Sequence, residues 1–273
     1  MDESIHRYFI SGDNLSSSCD FIPEKFLAEG TVYEVIRILR GKPLFLNEHL
    51  HRLKQSTALA CFQDNIDIQK IKRVLQVLIQ ANEVEEGNIK LVAFSRPELE
   101  ISCWFMPHFY PNETMYRDGV HLSLFEFERE KPQLKSQRNK YKELVNSKLK
   151  LDNAYELLLV HDGMISEGSK SNVFFVKDNC LITAPDTDVL AGITRKKCIE
   201  LALSRLIRLE YKKFQIDELN EASSCFITGT SPKILPVRSI NAFDHFELDH
   251  PIVLSLMEMY RKEIETDIDN FSW

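Results

Sequence analysis

The residues best placed to do chemistry fall in one stretch, 165–196. Glu167-Gly168-Ser169-Lys170-Ser171-Asn172 is a polar turn with a carboxylate at its head, and it runs into Val173-Phe174-Phe175-Val176. A short apolar run bounded by polar residues predicts a buried strand, so the turn is held on a rigid element. Cys180 to Thr183 reads as a second strand, paired with the first through the turn Lys177-Asp178-Asn179. Beyond it, Gly192-Ile193-Thr194-Arg195 opens a helical pattern carrying Ile199, Ala202, Leu203 and Leu206. Thr194 is expected to be its N-cap, and the free backbone N–H groups of a helix start bind phosphate well. Taken singly, each piece is ordinary structural punctuation; together they could enclose one anionic ligand.

The elements around this stretch read as alternating strands and helices. Arg7 to Ile10 and Gly30 to Leu39 are expected strands, the second with Val32, Glu34, Ile36 and Ile38 on one face and Tyr33, Val35, Arg37 and Leu39 on the other. With both faces largely apolar it should be central. Asn47 is expected to cap a helix carrying Leu50, Leu53 and Leu59, and Asp67 another carrying Ile71, Leu75 and Leu78. Strands at 89–95 and 100–106 complete a first α/β domain over 1–110, followed by a linker at 111–118. A second domain over 119–273 holds a strand at 119–127, a helix carrying Tyr141, Leu144, Val145 and Lys148, a strand at 155–161, the stretch above, a strand-to-turn segment ending at Gly229-Thr230, and a final helix over 251–263.

Composition excludes some classes. The chain has 273 residues, 44% hydrophobic and 27% charged, enough for two ordinary domain cores. A formal net charge of -7 gives no electrostatic pull toward nucleic acid or anionic membranes. The start, MDESIHRYF, lacks a basic and then apolar leader, and no run is long enough to span a bilayer, so a cytoplasmic protein is expected. Six scattered cysteines make no CxxC pair, which suits apolar fillers in a reducing compartment. His49 and His51, two apart on a helix, point in different directions and should not share a metal; no metal is expected.

EGSKSNVF followed by LAGITR resembles the core signature of the fold-type IV pyridoxal-phosphate enzymes, the class IV family of branched-chain and D-amino-acid aminotransferases and aminodeoxychorismate lyases. The resemblance extends over nearly the whole chain. EHLHRL resembles the family's phosphate-arginine motif, which gives Arg52 that role. Counting back without a gap from Glu167 and from Tyr155-Glu156 sets Lys135, with Lys140 as the alternative, where the family carries its catalytic lysine. The resemblance implies an α/β (α+β) fold in two domains, a smaller N-terminal one and a larger C-terminal one, with the active site between them and completed by a second subunit of a homodimer.

It also implies pyridoxal 5'-phosphate (PLP) as cofactor. Lys135 would form a Schiff base with its aldehyde and then act as general base. Glu167 would pair with the pyridine nitrogen. Arg52, Ile193, Thr194, Gly229 and Thr230 would hold the phosphate, Ser171 and Asn172 would shape the cofactor-side turn, Tyr155 would stand by the ring, and Tyr33 would line the substrate pocket. The chain departs from the family in Ser136-Gln137-Arg138-Asn139, where relatives carry small or apolar residues and an Asn. Substrate choice is less legible: 100–108 lacks the Arg-x-His pair of the D-amino-acid enzymes, Arg96-Pro97 only faintly resembles the branched-chain turn, and Trp104, Phe105 and Met106 could form an apolar pocket. The resulting expectation is an aminotransferase acting on an amino acid and a 2-keto acid. The alternatives are an aminodeoxychorismate lyase that eliminates pyruvate and a silent protein that keeps the cofactor pocket.

Overall fold

A computed structural model describes residues 4–62, 66–95 and 99–273. It divides into two compact units, each with its own sheet and core. The first comprises residues 1–109, 134–139 and 264–273, and the second 110–133 and 140–263.

The first unit is built on strands β1 (Tyr8–Ser11), β2 (Asn14–Ser17), β3 (Val32–Leu39), β4 (Lys42–Pro43), β5 (Glu86–Ser95) and β6 (Leu99–Met106), in the order β2-β1-β6-β5-β3-β4. Helices α1 (Leu46–Leu59) and α2 (Ile68–Asn82) contribute Leu50, Leu53, Ile71, Leu75 and Leu78 to a core with Val32, Ile36 and Ile38 of β3. The alternation read in β3 therefore holds: one face is core, and Tyr33 of the other joins Phe9, Phe26 and Trp104 in an aromatic cluster. The strand is next to the edge, not central. Its outer side is taken by β4 at one end and by residues 135–137 at the other, through a bridge between Val32 and Ser136.

Asp67 caps α2 as expected, accepting from the Lys70 N–H. Asn47 does not cap α1. The helix begins at Leu46 after Phe45, which has a left-handed backbone, and the Phe45 N–H donates to Asp267 at 2.7 Å. A carboxylate from the far end of the chain thus serves a helix start that no local side chain reaches. Trp104 and Phe105, read together as pocket residues, face opposite ways: Phe105 belongs to the helix-side core and Trp104 with Met106 to the aromatic cluster. Arg96 and Pro97 lie outside the described residues.

The second unit contains α3 (Glu113–Asp118), β7 (Val120–Glu126), α4 (Asn139–Leu151), β8 (Glu156–His161), β9 (Met164–Gly168), β10 (Asn172–Lys177), β11 (Cys180–Thr183), α5 (Ile193–Ser204), β12 (Arg208–Tyr211), β13 (Phe214–Gln215), β14 (Ser224–Gly229), β15 (Lys233–Ile240) and α6 (Pro251–Asp269), whose last residues join the first unit. Its nine-stranded sheet runs β12-β11-β10-β14-β15-β7-β8-β9-β13, mixed in direction. The β10–β11 hairpin turns on Asp178 and Asn179, both with positive φ, which short polar side chains tolerate best. Among the described residues no helix is long and apolar enough to cross a membrane, and no cluster of side chains could hold a metal.

Candidate active site

In the first unit, residues 135–137 extend the sheet beyond β3. The Tyr33 N–H donates to the Lys135 carbonyl at 3.0 Å and the Gln137 N–H to the Thr31 carbonyl at 2.7 Å. This register sets Lys135 directly across from Tyr33, on the same face, with its Nζ 4.9 Å from the Tyr33 ring centroid. Lys135 is thereby carried on paired backbone, whereas Lys140 lies in the first turn of α4. A second lysine, Lys90 of β5, is buried on the same face, 4.7 Å from the Tyr33 centroid and 3.1 Å from Gln137 Oε1. Gln137, part of the departure noted after Lys135, thus has a definite partner.

The opposite face of β3 presents Glu34, fully buried, to helix α1. Arg52 grips it with two parallel bonds, Nε to Oε1 at 2.7 Å and Nη2 to Oε2 at 2.6 Å, and His49 Nδ1 lies 2.7 Å from Oε2. Burial opposes the Glu34 charge, but the Arg52 guanidinium and the His49 bond outweigh it and hold the carboxyl well below the usual carboxylate range. Burial lowers the His49 value, with Arg52 and Lys135 adding to it, so His49 is neutral and donates from Nδ1. Both of these parallel bonds from Arg52 go to Glu34.

In the second unit, Glu167 is the penultimate residue of β9 and is almost wholly buried. Its Oε1 accepts from Arg129 Nη1 at 2.6 Å, and its Oε2 from Asn172 Nδ2 at 3.2 Å and the Leu190 N–H at 3.0 Å. Asn172 Nδ2 also donates to the Leu190 carbonyl at 3.0 Å. One amide therefore ties the acidic residue to the segment leading into α5. Ser171 faces a second buried carboxylate: Glu156 accepts from Ser171 Oγ at 3.0 Å, Ser169 Oγ at 2.5 Å and the Lys170 N–H at 3.1 Å. The hydroxyls of the signature turn are thus internal fasteners. Its glycine is required as well, because a Cβ on Gly168 would overlap Ser171 Oγ.

Helix α5 starts two residues earlier than expected. Gly192 is its N-cap with no side-chain cap bond, and Thr194 is the second helical residue, its Oγ1 3.2 Å from Tyr260 Oη of α6. A Gly cap leaves the first-turn N–H groups without a competing side chain, which suits an anion. Gly229 ends β14 and Thr230 begins the turn into β15. Tyr155 is half-buried against the second core, and burial, then the Glu156 charge, push its hydroxyl above the usual phenol value. Sequence reasoning missed Arg129, Glu156 and Lys90. Arg129 sits in the charge-alternating run EFEREK, and Lys90 in an apolar strand, where local pattern says nothing about partners.

The family model for class IV aminotransferases matches residues 31–240, and the chain belongs to this family. A branched-chain-amino-acid aminotransferase of Thermotoga maritima is 31% identical over 89% of this chain and 89% of its own length. An aminodeoxychorismate lyase of Bacillus subtilis is 24% identical over 96% of this chain and 94% of its own, and D-alanine aminotransferases are relatives as well. Among solved structures, the branched-chain amino acid aminotransferase of Escherichia coli superposes with a TM-score of 0.85 over 98% of both chains at 22% identity, which shows the shared fold. The expected fold-type IV architecture is therefore confirmed.

Proposed function

We propose that this chain is a PLP-dependent aminotransferase that moves an amino group between an amino acid and a 2-keto acid in two half-reactions. The observation that carries the reading is Glu167, a buried carboxylate contacted by the donors Arg129, Asn172 and the Leu190 N–H. Such a group suits a ring nitrogen that carries a proton, and the uncapped start of α5 suits a phosphate, so the residues fit PLP. When bound, PLP supplies an aldehyde that takes up the amino group and a ring that draws electrons from the substrate Cα.

The chain's own groups then divide the work. Lys135 Nζ would hold the cofactor and would carry the proton at the substrate Cα. Glu167 fixes the charge at the ring nitrogen. Ile193 and Gly229 through backbone N–H groups, Thr194 and Thr230 through hydroxyls, and Arg52 through its guanidinium would hold the phosphate. Asn172 and Ser171 keep the turn in shape, Tyr155 lies by the ring, and Tyr33 bounds the substrate side. The functional form in this reading is a homodimer.

Relatives named as aminotransferases support transamination. The lyase relative, which spans nearly the whole chain, supports pyruvate elimination as a second reading. Borohydride reduction of the PLP-loaded protein followed by peptide mapping, with an amino-donor screen run beside a pyruvate-release assay, tests both. Expected are a reduced adduct on Lys135, transamination with at least one donor, and no turnover in Lys135→Ala. Pyruvate release without any keto-acid acceptor would replace the first reading with the second, and an adduct on Lys140 would overturn the lysine assignment.

A further inference from the structure

We propose that Arg129 is a positioning residue that keeps Glu167 ionised and aimed, making it a ready receptor for the protonated ring nitrogen of the cofactor; this rests on the PLP reading above. Arg129 lies in the irregular segment between β7 and α4, and its Nη1 is 2.6 Å from Glu167 Oε1. The side chains are 13% and 2% exposed, so the pair is largely shielded from water and is screened less than a surface ion pair.

Three hydrogen bonds to Glu167 come from groups that can only donate: a guanidinium, the Nδ2 of an amide and a backbone N–H. A protonated Glu167 would turn its own O–H toward one of those donors. The pattern therefore favours the carboxylate, and Arg129 is its charged member. Two further donors to Glu167, Asn172 on β10 and the Leu190 N–H before α5, are neutral. Glu156 on the neighbouring strand β8 is engaged by Ser169, Ser171 and the Lys170 N–H. Asp186 and Asp188, in the segment that supplies Leu190, pair with Arg195 and Lys213.

Without Arg129, burial acts on Glu167 with that positive charge removed. The carboxyl then holds a proton up to a higher pH. A neutral acid is a poor partner for a ring N–H, so PLP binding must first expel that proton. Affinity in such a variant rises with pH, whereas in the native protein the carboxylate is charged beforehand.

The test compares wild type, Arg129→Met, Arg129→Lys and the double variant Arg129→Met/Glu167→Gln, with Arg129→Gln in reserve should the Met protein fail to fold. PLP dissociation constants are measured by absorbance from pH 5.5 to 8.5, and apoprotein melting curves are recorded over the same range. Taking the variant-to-wild-type ratio at each pH removes the titration of PLP itself. The Met ratio should be large at low pH and fall as pH rises, by up to about tenfold per pH unit. The Lys variant should restore most of the affinity, and the double variant should show a ratio independent of pH. In the apoprotein, the folded Glu167 of the Met variant has a raised pKa, so its melting temperature should drop relative to wild type as pH rises through that value. A Met ratio equal at every pH, with parallel melting profiles, overturns the role of Arg129 alone. Wild-type protein that binds no PLP sinks the cofactor reading and the receptor role with it.

Discussion

Asn172 and Gly192 touch where β10 meets the start of α5: the amide Oδ1 of Asn172 occupies the space that a Cβ on residue 192 would fill. Because Asn172 also holds Glu167 and the Leu190 carbonyl, the glycine is what lets the acidic residue and the helix start be fastened by one side chain. Gly192 has φ -66°, which any residue can adopt, so the constraint is steric and not conformational. Gly192→Ala should destabilise the protein by about 1–3 kcal/mol through overpacking and weaken PLP binding, checked by urea unfolding and cofactor titration.

Acid should act on the first unit in two stages. Both His49 and Glu34 bind a proton less readily in the fold than at their ordinary values of 6.5 and 4.5. The unfolded chain therefore takes up more protons on acidification, and stability falls as pH drops through about 6.5 and again below about 4.5. His49→Asn should remove the upper step. Glu34→Gln should remove the lower one and cost about 3–5 kcal/mol at neutral pH, because it leaves the Arg52 charge buried without its partner. Urea midpoints from pH 2.5 to 8 would show both.

Glu156→Gln should loosen the signature turn. Each oxygen of the native carboxylate accepts from one hydroxyl and one backbone N–H, Leu157 at Oε1 and Lys170 at Oε2, so a glutamine must set its NH2 group against a backbone N–H. A loss of about 1.5–3 kcal/mol is expected. Hydrogen exchange at residues 168–171 should rise in the variant, and unchanged protection would count against this account.

Tyr33→Phe and Tyr33→Leu separate the ring from the hydroxyl. The ring lies under both Lys135 and Lys90, and such contacts are worth about 0.5–2 kcal/mol each. The Phe variant should keep kcat/KM within a few fold for the best amino donor, while Leu lowers it by about tenfold or more. Equal losses in both would assign the effect to the hydroxyl instead.

Much of this was legible in the sequence where the cause is local. The alternation of Val32 to Leu39 gave the faces of β3, Asp67 capped α2 as a short acceptor before a helical pattern should, and Asp178-Asn179 turned the β10–β11 hairpin. The places that read wrongly are those where a distant residue decides. Asn47 looks like a cap, but Asp267 reaches the start of α1 from the last helix. Thr194 looks like a cap, but Gly192 takes that position because Asn172 leaves no room for a side chain. Trp104 and Phe105 look like one apolar patch, yet strand geometry must send neighbours to opposite faces. Arg129 and Lys90 could not be singled out, since a charge has no meaning for chemistry until its partner, many residues away, is known.

The three separate stretches that make up the first unit have a consequence for how the protein is made. Residues 264–273 supply Asp267 to Phe45, the Ile268 carbonyl to Lys42 and Glu265 to Arg40, and residues 135–137 close the outer side of β3. On the ribosome, the strands and helices encoded first emerge long before these pieces exist. The start of α1 therefore gains its Asp267 partner only after the entire second unit has been made, and the first unit stays open to aggregation through that interval.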